Sequence, residues 1–350
     1  MDDTPRALGF SMPAEWEPHE SVWLAWPSHD DLWGELLVEA QREHIALCKA
    51  IADVHDGLPR GETLNVLVPT AVREMEARSQ LGKLGARFHR VPFGDIWMRD
   101  IAPIFLRNDD GEIAPICFAF NGWGGKYVLD GDDLVAGRVG ELAGGRLFAY
   151  GMVLEGGAIE VDGEGTLLTT KQCLLNRNRN PGMDQASTEA ALREALGVET
   201  ILWLDEGLLN DHTDGHVDTV ARFVRPGVVA CMQAKDASDP NREVLDKIAK
   251  SLSAMRDHRG RKLEVVRIPS PGKVEDHEGL ILPASYMNWY LANTTAVVPT
   301  YRSKHDEAAL EAIAPLFPGR RVVGAKARAI LTGGGAFHCI TQQQPARRSS

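Results

Sequence analysis

The sequence predicts an α/β fold built from repeated modules of two or three strands and one helix. Strand-sized apolar runs alternate with amphipathic stretches, but pairs of strands follow one another before a helix intervenes, which disfavours a simple strand–helix alternation. A short motif also returns, since LEGG at 154–157 resembles LTGG at 331–334. No linker rich in serine, proline or charge divides the chain. We therefore expect one domain over residues 1–345 and a disordered tail at 346–350.

Strands are expected where apolar runs are bounded by proline, glycine or aspartate. These runs occupy residues 21–27, 63–69, 86–92, 101–108 and 114–120. Helices are expected where apolar residues recur at spacings of three and four, as they do between Leu37 and Ile51. The predicted helices span residues 35–55, 70–82, 185–196, 240–255 and 304–314.

The composition is that of a globular protein without membrane or nucleic-acid partners. Hydrophobic residues make up 44% of the 350 and charged residues 25%, and the longest apolar runs have the length of strands. The opening MDDTPRALGF lacks the charged start and apolar stretch of an export signal, so we expect a cytoplasmic protein. Asp and Glu number 49 against 38 Lys and Arg, and the basic residues form no cluster before Arg347 and Arg348, which argues against nucleic acid.

The cysteines point to reduced thiols, with one in an unusual setting. Five of them lie far apart without a Cys-x-x-Cys pair: Cys48, Cys117, Cys173, Cys231 and Cys339. Cys48 and Cys117 lie within apolar patterns and are expected to be buried small hydrophobes. Cys339 instead follows three glycines and a histidine in LTGGGAFHCITQQQP (331–345), a setting that gives a thiol access to a ligand. A nucleophilic thiol also needs a positive field and a proton donor nearby.

The stretch GDIWMRD at 94–100 contains candidate cation ligands. In an extended segment Asp95, Trp97 and Arg99 would face one way, and Asp100 would face the other way at the start of the next strand. A carboxylate at that position can bind a cation. The alternative is a structural ion pair between Arg99 and Asp95 or Asp100.

The stretch LEGGAIE at 154–160 offers one more carboxylate. Glu155 precedes two glycines, and paired glycines allow the backbone to approach another group closely. The same pattern also occurs in ordinary surface turns, so the residue types leave both interpretations open for Glu155.

Polar residues alternate in NDHTDGHVD at 210–218. In an extended conformation His212, Asp214, His216 and Asp218 would project to one face. Two functional interpretations are possible: a metal site of His and Asp ligands, or a His216 general acid–base beside a cation-binding Asp218. Turn chemistry at Thr-Asp-Gly is the structural alternative.

A thiol, a histidine and several carboxylates fit a cationic substrate. Carboxylates raise the pKa of a nearby thiol, so they are unfavourable neighbours for a thiolate unless the substrate supplies positive charge. A planar guanidinium matches paired carboxylates through its N–H groups. Its carbon is electrophilic, and its charge stabilises the attacking thiolate. No cofactor is needed for this chemistry.

Five stretches carry a family resemblance. FGDIWMRDIAP, FNGWGGKY, LEGGAIE, HTDGHVD and GGGAFHCITQQ resemble, in order, the motifs of agmatine deiminases in the bacterial-type peptidylarginine deiminase family of the guanidine-modifying pentein superfamily. The likeness runs from MPAEWEPHESVWLAWP at 12–27 to the cysteine motif, nearly the whole chain. It implies a five-bladed α/β propeller of pseudo-repeated ββαβ-like units around a central active-site cavity. It also implies a homodimer.

The resemblance further implies a reaction and a set of roles. Agmatine and water would give N-carbamoylputrescine and ammonia, a step in putrescine and polyamine biosynthesis, through a covalent cysteine thiouronium. The implied roles are Cys339 as nucleophile, His216 as acid–base, Asp100 and Asp218 as guanidinium clamps, Glu155 as a supporting carboxylate and Trp97 as a cavity wall.

The chain departs from the family's pattern at two places. His212, preceded by Asp211, stands where an acidic residue linked to substrate binding is expected. Asp211 or another carboxylate would then bind the distal ammonium, so both residues are assigned to substrate binding. Before His338 the chain has Ala-Phe where relatives have Asn-Ile, which bears on loop packing. The alternatives are a deiminase of arginine or peptidylarginine, a His/Asp metallohydrolase, and a propeller that binds guanidines without turnover.

Overall fold

The computed structural model describes residues 3–347, and these form five mixed sheets and one short hairpin. In each mixed sheet one strand has an antiparallel neighbour on one side and a parallel neighbour on the other. A helix precedes the parallel neighbour in the chain, as a parallel connection requires. The predicted α/β class is confirmed. We call each sheet with its helices a module.

The modules follow the chain in order. Module 1 has strands His19–Ala25, Thr63–Val68, Arg87–Arg90 and Gln342–Pro345 and helices Leu37–Ala52 and Ala71–Leu81. Module 2 has strands Ile104–Arg107, Ile113–Ala119 and Phe148–Val153 and helix Asp132–Ala143. Module 3 has strands Ile159–Val161, Thr166–Thr170 and Thr200–Leu204 and helices Lys171–Leu174 and Gln185–Leu196. Module 4 has strands Ala221–Arg225, Val228–Gln233 and Glu264–Pro269 and helix Arg242–Ala254. Module 5 has strands Tyr290–Leu291, Thr295–Thr300 and Arg321–Lys326 and helix Asp306–Ile313.

Short elements complete the fold. The hairpin pairs Val54–His55 with Leu58–Pro59. Besides Lys171–Leu174, four single-turn helices lie in connections within residues 3–347: Asp30–Trp33, Met98–Ile101, Gly122–Gly125 and Arg328–Leu331. The 3-10 helices are Arg6–Leu8, Gly34–Leu36, Gly82–Leu84, Gly156–Ala158, Val217–Thr219 and Ala314–Leu316.

The helix boundaries follow from local chemistry. The helix Gln185–Leu196 begins after Asp184, whose side chain accepts from the Ser187 backbone N–H in a capping box, and ends at Gly197 in the left-handed region. All five predicted helices occur, with ends shifted by a few residues. The strand predicted over 101–108 is wrong at its start, because Met98–Ile101 forms a helical turn and the strand begins at Ile104.

Most of the apolar core is continuous across the modules. Its largest fully buried side chains include Trp23, Trp26 and Trp289. A second, smaller cluster joins modules 2 and 3 around Ile116 and Leu167. No helix within residues 3–347 has the length and apolar character needed to cross a bilayer.

The chain closes on itself through module 1. The strand Gln342–Pro345 pairs antiparallel with His19–Ala25, so the sheet that starts the fold is completed by a late segment. The tail predicted at 346–350 lies partly outside the described residues. Within them, the Ala346 backbone N–H donates to the Pro18 carbonyl.

Candidate active site

The candidate site residues lie in the connections between consecutive modules. Asp100 lies between modules 1 and 2, Glu155 between modules 2 and 3, and both His216 and Asp218 between modules 3 and 4. Cys339 lies between module 5 and the closing strand of module 1. Each is at most five residues before the first strand of the next sheet. Sequence-distant residues therefore meet because equivalent connections of the modules meet.

A cavity of about 320 Å³ opens onto Cys339 and Asp100 of this cluster, whereas Glu155, His216 and Asp218 are not among its lining residues. Cys339 and Asp100 line it, together with Trp97, Trp123 and Thr213. The remaining lining residues are Leu32, Trp33, Leu36, Asp95, Tyr127, Leu129, His212, Thr332, Gly333, Gly334 and Gly335. Aromatic walls and few polar groups are typical of a small-molecule pocket.

The glycines before Cys339 allow close packing. A Cβ atom on Gly335 would lie 2.9 Å from the Cys339 sulfur, and a Cβ atom on Gly333 would lie 2.6 Å from the Trp97 ring. The loop passes over the indole only because these positions have no side chain. The Arg99 backbone N–H donates to the Cys339 carbonyl and ties the loop to the helical turn Met98–Ile101.

The Cys339 thiol has polar neighbours on one side. It is 4% exposed, accepts from Asn288 Nδ2 at 3.1 Å and lies 3.6 Å from Asp218 Oδ2. Burial and the carboxylates of Asp218 and Asp100 raise the pKa of this thiol well above its usual value. The resting cysteine is therefore a neutral thiol.

Asp100 is held by two donors. Trp123 Nε1 donates to Oδ2 at 2.9 Å, and the Gly157 backbone N–H donates to Oδ1 at 3.0 Å. Burial, followed by the nearby Asp218 and Glu155 carboxylates, raises the pKa of Asp100 well above its usual value. A bound cation reverses that shift.

His216 is fully buried beside Asp100. Its Nδ1 atom lies 3.8 Å from Asp100 Oδ1, and burial lowers the pKa of the imidazole to about 3. A Cβ atom on Gly157 would lie 2.5 Å from Nδ1, so the glycine leaves room for this ring. The neutral imidazole can accept a proton during a reaction.

Glu155 lies close to His216, together with Cys173. Arg179 Nε donates to Glu155 Oε1 at 2.6 Å, and both side chains are fully buried. Burial raises the pKa of Glu155, although Arg179 opposes this. Potential ligand atoms of Glu155, Cys173 and His216 lie within 4.8 Å of one another, but the Arg179 guanidinium beside them disfavours a metal cation.

The stretch 210–218 is not extended, so the predicted common face is wrong. Asp214 has a left-handed backbone and binds Lys126, Asn178 and Arg179. The proposed His/Asp metal quartet is therefore not assembled. His216 and Asp218 are instead brought to the buried cluster, which includes a 3-10 turn at Val217–Thr219.

Asp211 and His212 occupy different environments. His212 lines the outer cavity, lies stacked against Tyr127 with ring centroids 5.7 Å apart, and has a pKa lowered by burial and Lys126. Asp211 does not line the cavity. It accepts from the backbone N–H and hydroxyl of Thr213, and burial raises its pKa to about 6.

Trp97 and Asp95 form part of the cavity wall. Asp95 accepts from Trp97 Nε1 at 2.7 Å and from Trp33 Nε1 at 3.0 Å, and the two indoles stack 6.3 Å apart. The alternative ion pair of Arg99 with Asp95 or Asp100 does not occur among the described residues. Arg99 Nε donates instead to the His338 carbonyl.

Asn288 is the main residue that sequence reasoning missed. Its Nδ2 donates to both Cys339 Sγ and Asp218 Oδ2, at 3.1 and 3.2 Å. Its Oδ1 accepts from the backbone N–H groups of Ala336 and Cys339. It belongs to the connection between modules 4 and 5, so its place in the repeat could have identified it. His338, Trp123 and Arg179 were also not assigned.

Comparison with known proteins places the chain in a family. The model of the Porphyromonas-type peptidyl-arginine deiminase family matches residues 11–345. The chain belongs to this family. A family relative, the agmatine deiminase of Ectopseudomonas mendocina (strain ymp), is 40% identical over 99% of this chain and 98% of its own length.

Solved structures of similar proteins agree with this Porphyromonas-type peptidyl-arginine deiminase assignment. The agmatine deiminase of Enterococcus faecalis has a TM-score of 0.92 and 36% identity, with 99% of this chain and 98% of that chain covered. A Cys-to-Ser variant of the C. jejuni agmatine deiminase with substrate bound has a TM-score of 0.86 and 26% identity, with 97% of each chain covered.

Proposed function

We propose that this chain is an agmatine deiminase that hydrolyses the guanidinium group to N-carbamoylputrescine and releases ammonia. The full-length relatives described above bear that activity in their names. Within the chain, Cys339 is the nucleophile, His216 is the general acid–base, and Asp100 and Asp218 bind the guanidinium. Glu155 supports His216, and the reaction draws on no cofactor.

One observation carries the proposal: the buried cluster contains polar atoms without hydrogen-bond partners. Among residues 3–347, Asp218 Oδ1, Glu155 Oε2 and both ring nitrogens of His216 are buried and have no hydrogen-bond partner. Unpaired buried polar atoms are costly, about 1–3 kcal/mol each. A guanidinium supplies N–H donors for the free carboxylate oxygens and a positive charge that offsets the Asp100 and Asp218 carboxylates.

The substrate's charge changes the protonation of the site. Before binding, burial and neighbouring carboxylates keep the Cys339 proton on sulfur. A guanidinium beside the sulfur stabilises the thiolate and offsets the repulsion from Asp218 and Asp100. The thiol is therefore activated when the correct cation is bound, which limits side reactions of the free enzyme.

The first half-reaction forms a covalent intermediate. The Cys339 proton passes to His216, and the sulfur attacks the guanidinium carbon to give a tetrahedral adduct. His216 returns the proton to the departing nitrogen, the C–N bond breaks, and ammonia leaves. An S-alkylthiouronium on Cys339 remains. Holding sulfur and carbon in line is worth several kcal/mol, up to about 7–11.

The second half-reaction releases the product. Neutral His216 takes a proton from water, and the hydroxide attacks the same carbon. The C–S bond breaks as the ureido carbonyl forms, and His216 returns its proton to the Cys339 sulfur. The hydroxyl proton of the adduct is released to solvent, where the ammonia from the first half-reaction takes it up as ammonium. The net change is one guanidinium and one water to one ureido group and one ammonium, so atoms and charge balance.

The outer cavity would accommodate the aliphatic chain of agmatine. Trp97, Trp33 and Leu129 offer apolar surface, with His212 and Tyr127 on the side of the 210–218 connection. His212 lines the cavity, whereas both Asp211 oxygens accept from Thr213 and Thr219, so His212 is the better candidate for contact with the distal end. The Asp95 carboxylate, two residues before Trp97, also lines this cavity.

The arrangement of the five modules is also part of this proposal. Five modules with the same strand pattern, whose connections meet at one site, support a five-bladed propeller around a central cavity. We also infer that the protein is cytoplasmic and forms a homodimer; sedimentation analysis of the purified protein tests the homodimer.

The decisive test is turnover of agmatine by the purified chain. We expect equal release of ureido product and ammonia, abolished by Cys339→Ala and retained by Cys117→Ala, a half-buried thiol outside the cavity. A chelator leaves a thiol hydrolase active but inactivates a metallohydrolase. Arginine and blocked arginine, assayed beside agmatine, decide between the deiminase alternatives. If none of these substrates gives a ureido product, the proposal is wrong.

A further inference from the structure

His338 directly precedes the nucleophile but lies outside the substrate cavity. Its backbone N–H donates to the Asn288 carbonyl at 3.0 Å, and its side chain is 2% exposed. The residues lining the substrate cavity do not include it. The reaction sequence above gives it no role, although it stands next to Cys339.

Both ring nitrogens of His338 contact carboxylates. Nδ1 lies 2.7 Å from Asp218 Oδ2, and Nε2 lies 2.8 Å from Glu15 Oε2. These distances belong to charge-assisted hydrogen bonds. The imidazole therefore connects a substrate-binding carboxylate to a buried carboxylate of the N-terminal segment.

The geometry fixes the number of protons in this group. A neutral imidazole has one N–H donor and one lone pair, whereas an ionised carboxylate only accepts. Burial, followed by the Arg222 and Arg99 guanidinium groups, lowers the pKa of the His338 imidazole, and the Glu15 and Asp218 carboxylates oppose this. Two short N···O contacts to two ionised carboxylates nevertheless need an imidazolium, with both nitrogens donating. Although burial alone raises the pKa of Asp218 and of Glu15, His338 and neighbouring cations outweigh it and lower both.

The contact also determines which oxygen of Asp218 is available. Oδ2 is occupied by His338 Nδ1, Asn288 Nδ2 and the Cys339 sulfur. Oδ1 is buried and has no partner among the described residues. The carboxylate is thus held by one oxygen while the other stays free for a ligand.

A second ion pair anchors the far side of His338. Glu15 binds Arg222, whose Nε donates to Glu160 Oε2 at 2.8 Å. Glu15, Glu160 and His338 also line a separate cavity of about 10 Å³, which shares no lining residue with the substrate cavity. That volume is about the size of one water probe. This side of the imidazole therefore faces a space separate from the substrate cavity.

We propose that His338 is a positioning residue that holds a proton between Glu15 and Asp218, keeping Asp218 ionised with Oδ1 free for the guanidinium. The role rests on the proposed function, since it acts through Asp218 on that substrate. The charged or titratable groups around His338 are Asp218, Glu15, Arg222, Arg99, His216 and Cys339, with Glu160 behind Arg222.

Two substitutions at His338 separate positioning from packing. His338→Phe keeps a ring but removes both donors, whereas His338→Asn is smaller and keeps an amide donor near the Nδ1 position. We expect Phe to lower kcat/KM for agmatine by about 100-fold and Asn by about tenfold or less, in the range seen for residues that orient ligands. If packing alone matters, the order reverses, and that result would overturn the proposal.

The pH profile provides a readout that packing does not move. Without the imidazolium, the pKa of Asp218 rises, so the acidic limb of kcat/KM moves to higher pH in both variants, by about one unit. In Glu15→Gln the imidazolium loses a carboxylate, its pKa falls, and the alkaline limb moves to lower pH. Unmoved limbs in all three variants contradict the role. His44→Phe, at a buried histidine outside the site, controls for general destabilisation.

The protonation state can be measured without turnover. Nitrogen-15 shifts of labelled histidine, assigned with His338→Asn, should show two protonated ring nitrogens for His338 near pH 7 in the free protein. A neutral tautomer overturns the proposal even if agmatine is hydrolysed. Conversely, an imidazolium in a protein that does not hydrolyse agmatine means that the proposed function has failed while the proton assignment stands.

Discussion

The Cys339 sulfur lies 3.6 Å from Oδ2 of Asp218, a carboxylate that is itself fully buried. This pair opposes thiolate formation in the free protein, and a bound cation reverses the opposition. Reactivity of the thiol and turnover of substrate therefore depend on Asp218 in opposite ways.

Asp218→Asn should separate those two properties. The amide oxygen can take the place of Oδ2, and the NH2 group then takes the place of the free Oδ1. We expect faster alkylation of Cys339 by iodoacetamide at pH 8, about tenfold for each unit by which the thiol pKa falls. Turnover of agmatine should fall by about 100-fold or more, because the amide NH2 group would face the N–H groups of the guanidinium. Mass spectrometry of the modified peptide, with Cys339→Ala as blank, measures the first effect; slower alkylation contradicts it.

Gly157→Ala should inactivate the enzyme without unfolding it. The added methyl would lie 2.5 Å from His216 Nδ1 and 3.0 Å from Asp100 Oδ1, so the imidazole must move. A displacement of about 1 Å can cost 100-fold in rate. The control is Gly137→Ala within the helix Asp132–Ala143, where the new methyl meets nothing within 4 Å. That variant should keep its activity and gain about 0.5–1 kcal/mol of stability. Equal kcat/KM in the two variants would rule out the close approach.

Asn288→Ala should reduce kcat/KM by about 10- to 100-fold, because it removes donors to the sulfur and to Asp218 and an acceptor that holds the Cys339 loop. Asn288→Asp keeps the shape but adds a negative charge beside the thiol, so it should be at least as harmful. Steady-state kinetics on agmatine measure both. Asn108→Ala, at a turn in module 2, is the matched control. Activity of Asn288→Asp close to wild type would exclude the assigned role.

Asp132 should make stability depend on pH. Its Oδ1 accepts from the Gly94 and Asp95 backbone N–H groups, and burial raises its pKa to about 7. Since the unfolded value is about 3.9, the neutral acid favours the fold below that pH, and this contribution is lost as pH rises through about 7. Relative to Asp132→Asn, the wild-type free energy of unfolding should therefore fall between pH 4 and 7. Urea unfolding at several pH values tests this, and parallel curves contradict it.

The sequence predicted elements with regular periodicity better than it predicted connections. The helix Leu37–Ala52 buries Leu37, Ala40, His44, Leu47 and Ile51, and this spacing is readable from residue types. The connections at 94–100 and 210–218 were treated as extended. Instead, a helical turn forms at Met98–Ile101 and Asp214 adopts a left-handed backbone. Neither departure follows from local patterning, because tertiary contacts such as Trp123 with Asp100 fix them.

The sequence identifies site residues where reactive residue types cluster, but it does not identify Asn288, which acts only through its side-chain amide. Cys339, His216 and Asp218 were identified from motif density and resemblance, and the structure brings them together around Asp100. Asn288 has no titratable group and lies in an unremarkable run, so only the repeat of module connections could reveal it. Asp211 is a substrate-binding candidate because it is acidic, but its Oδ1 accepts from Thr213 and its Oδ2 accepts from the Thr219 hydroxyl.

The pairing of Gln342–Pro345 with His19–Ala25 has a consequence for biosynthesis. The ribosome makes the nucleophile and the strand that anchors it more than three hundred residues after the partner strand, and Cys339 lies three positions before the strand Gln342–Pro345. A nascent chain cannot assemble the active site until Gln342–Pro345 pairs with His19–Ala25. Translation that stalls within the last module would leave inert polypeptide instead of a partly working catalyst.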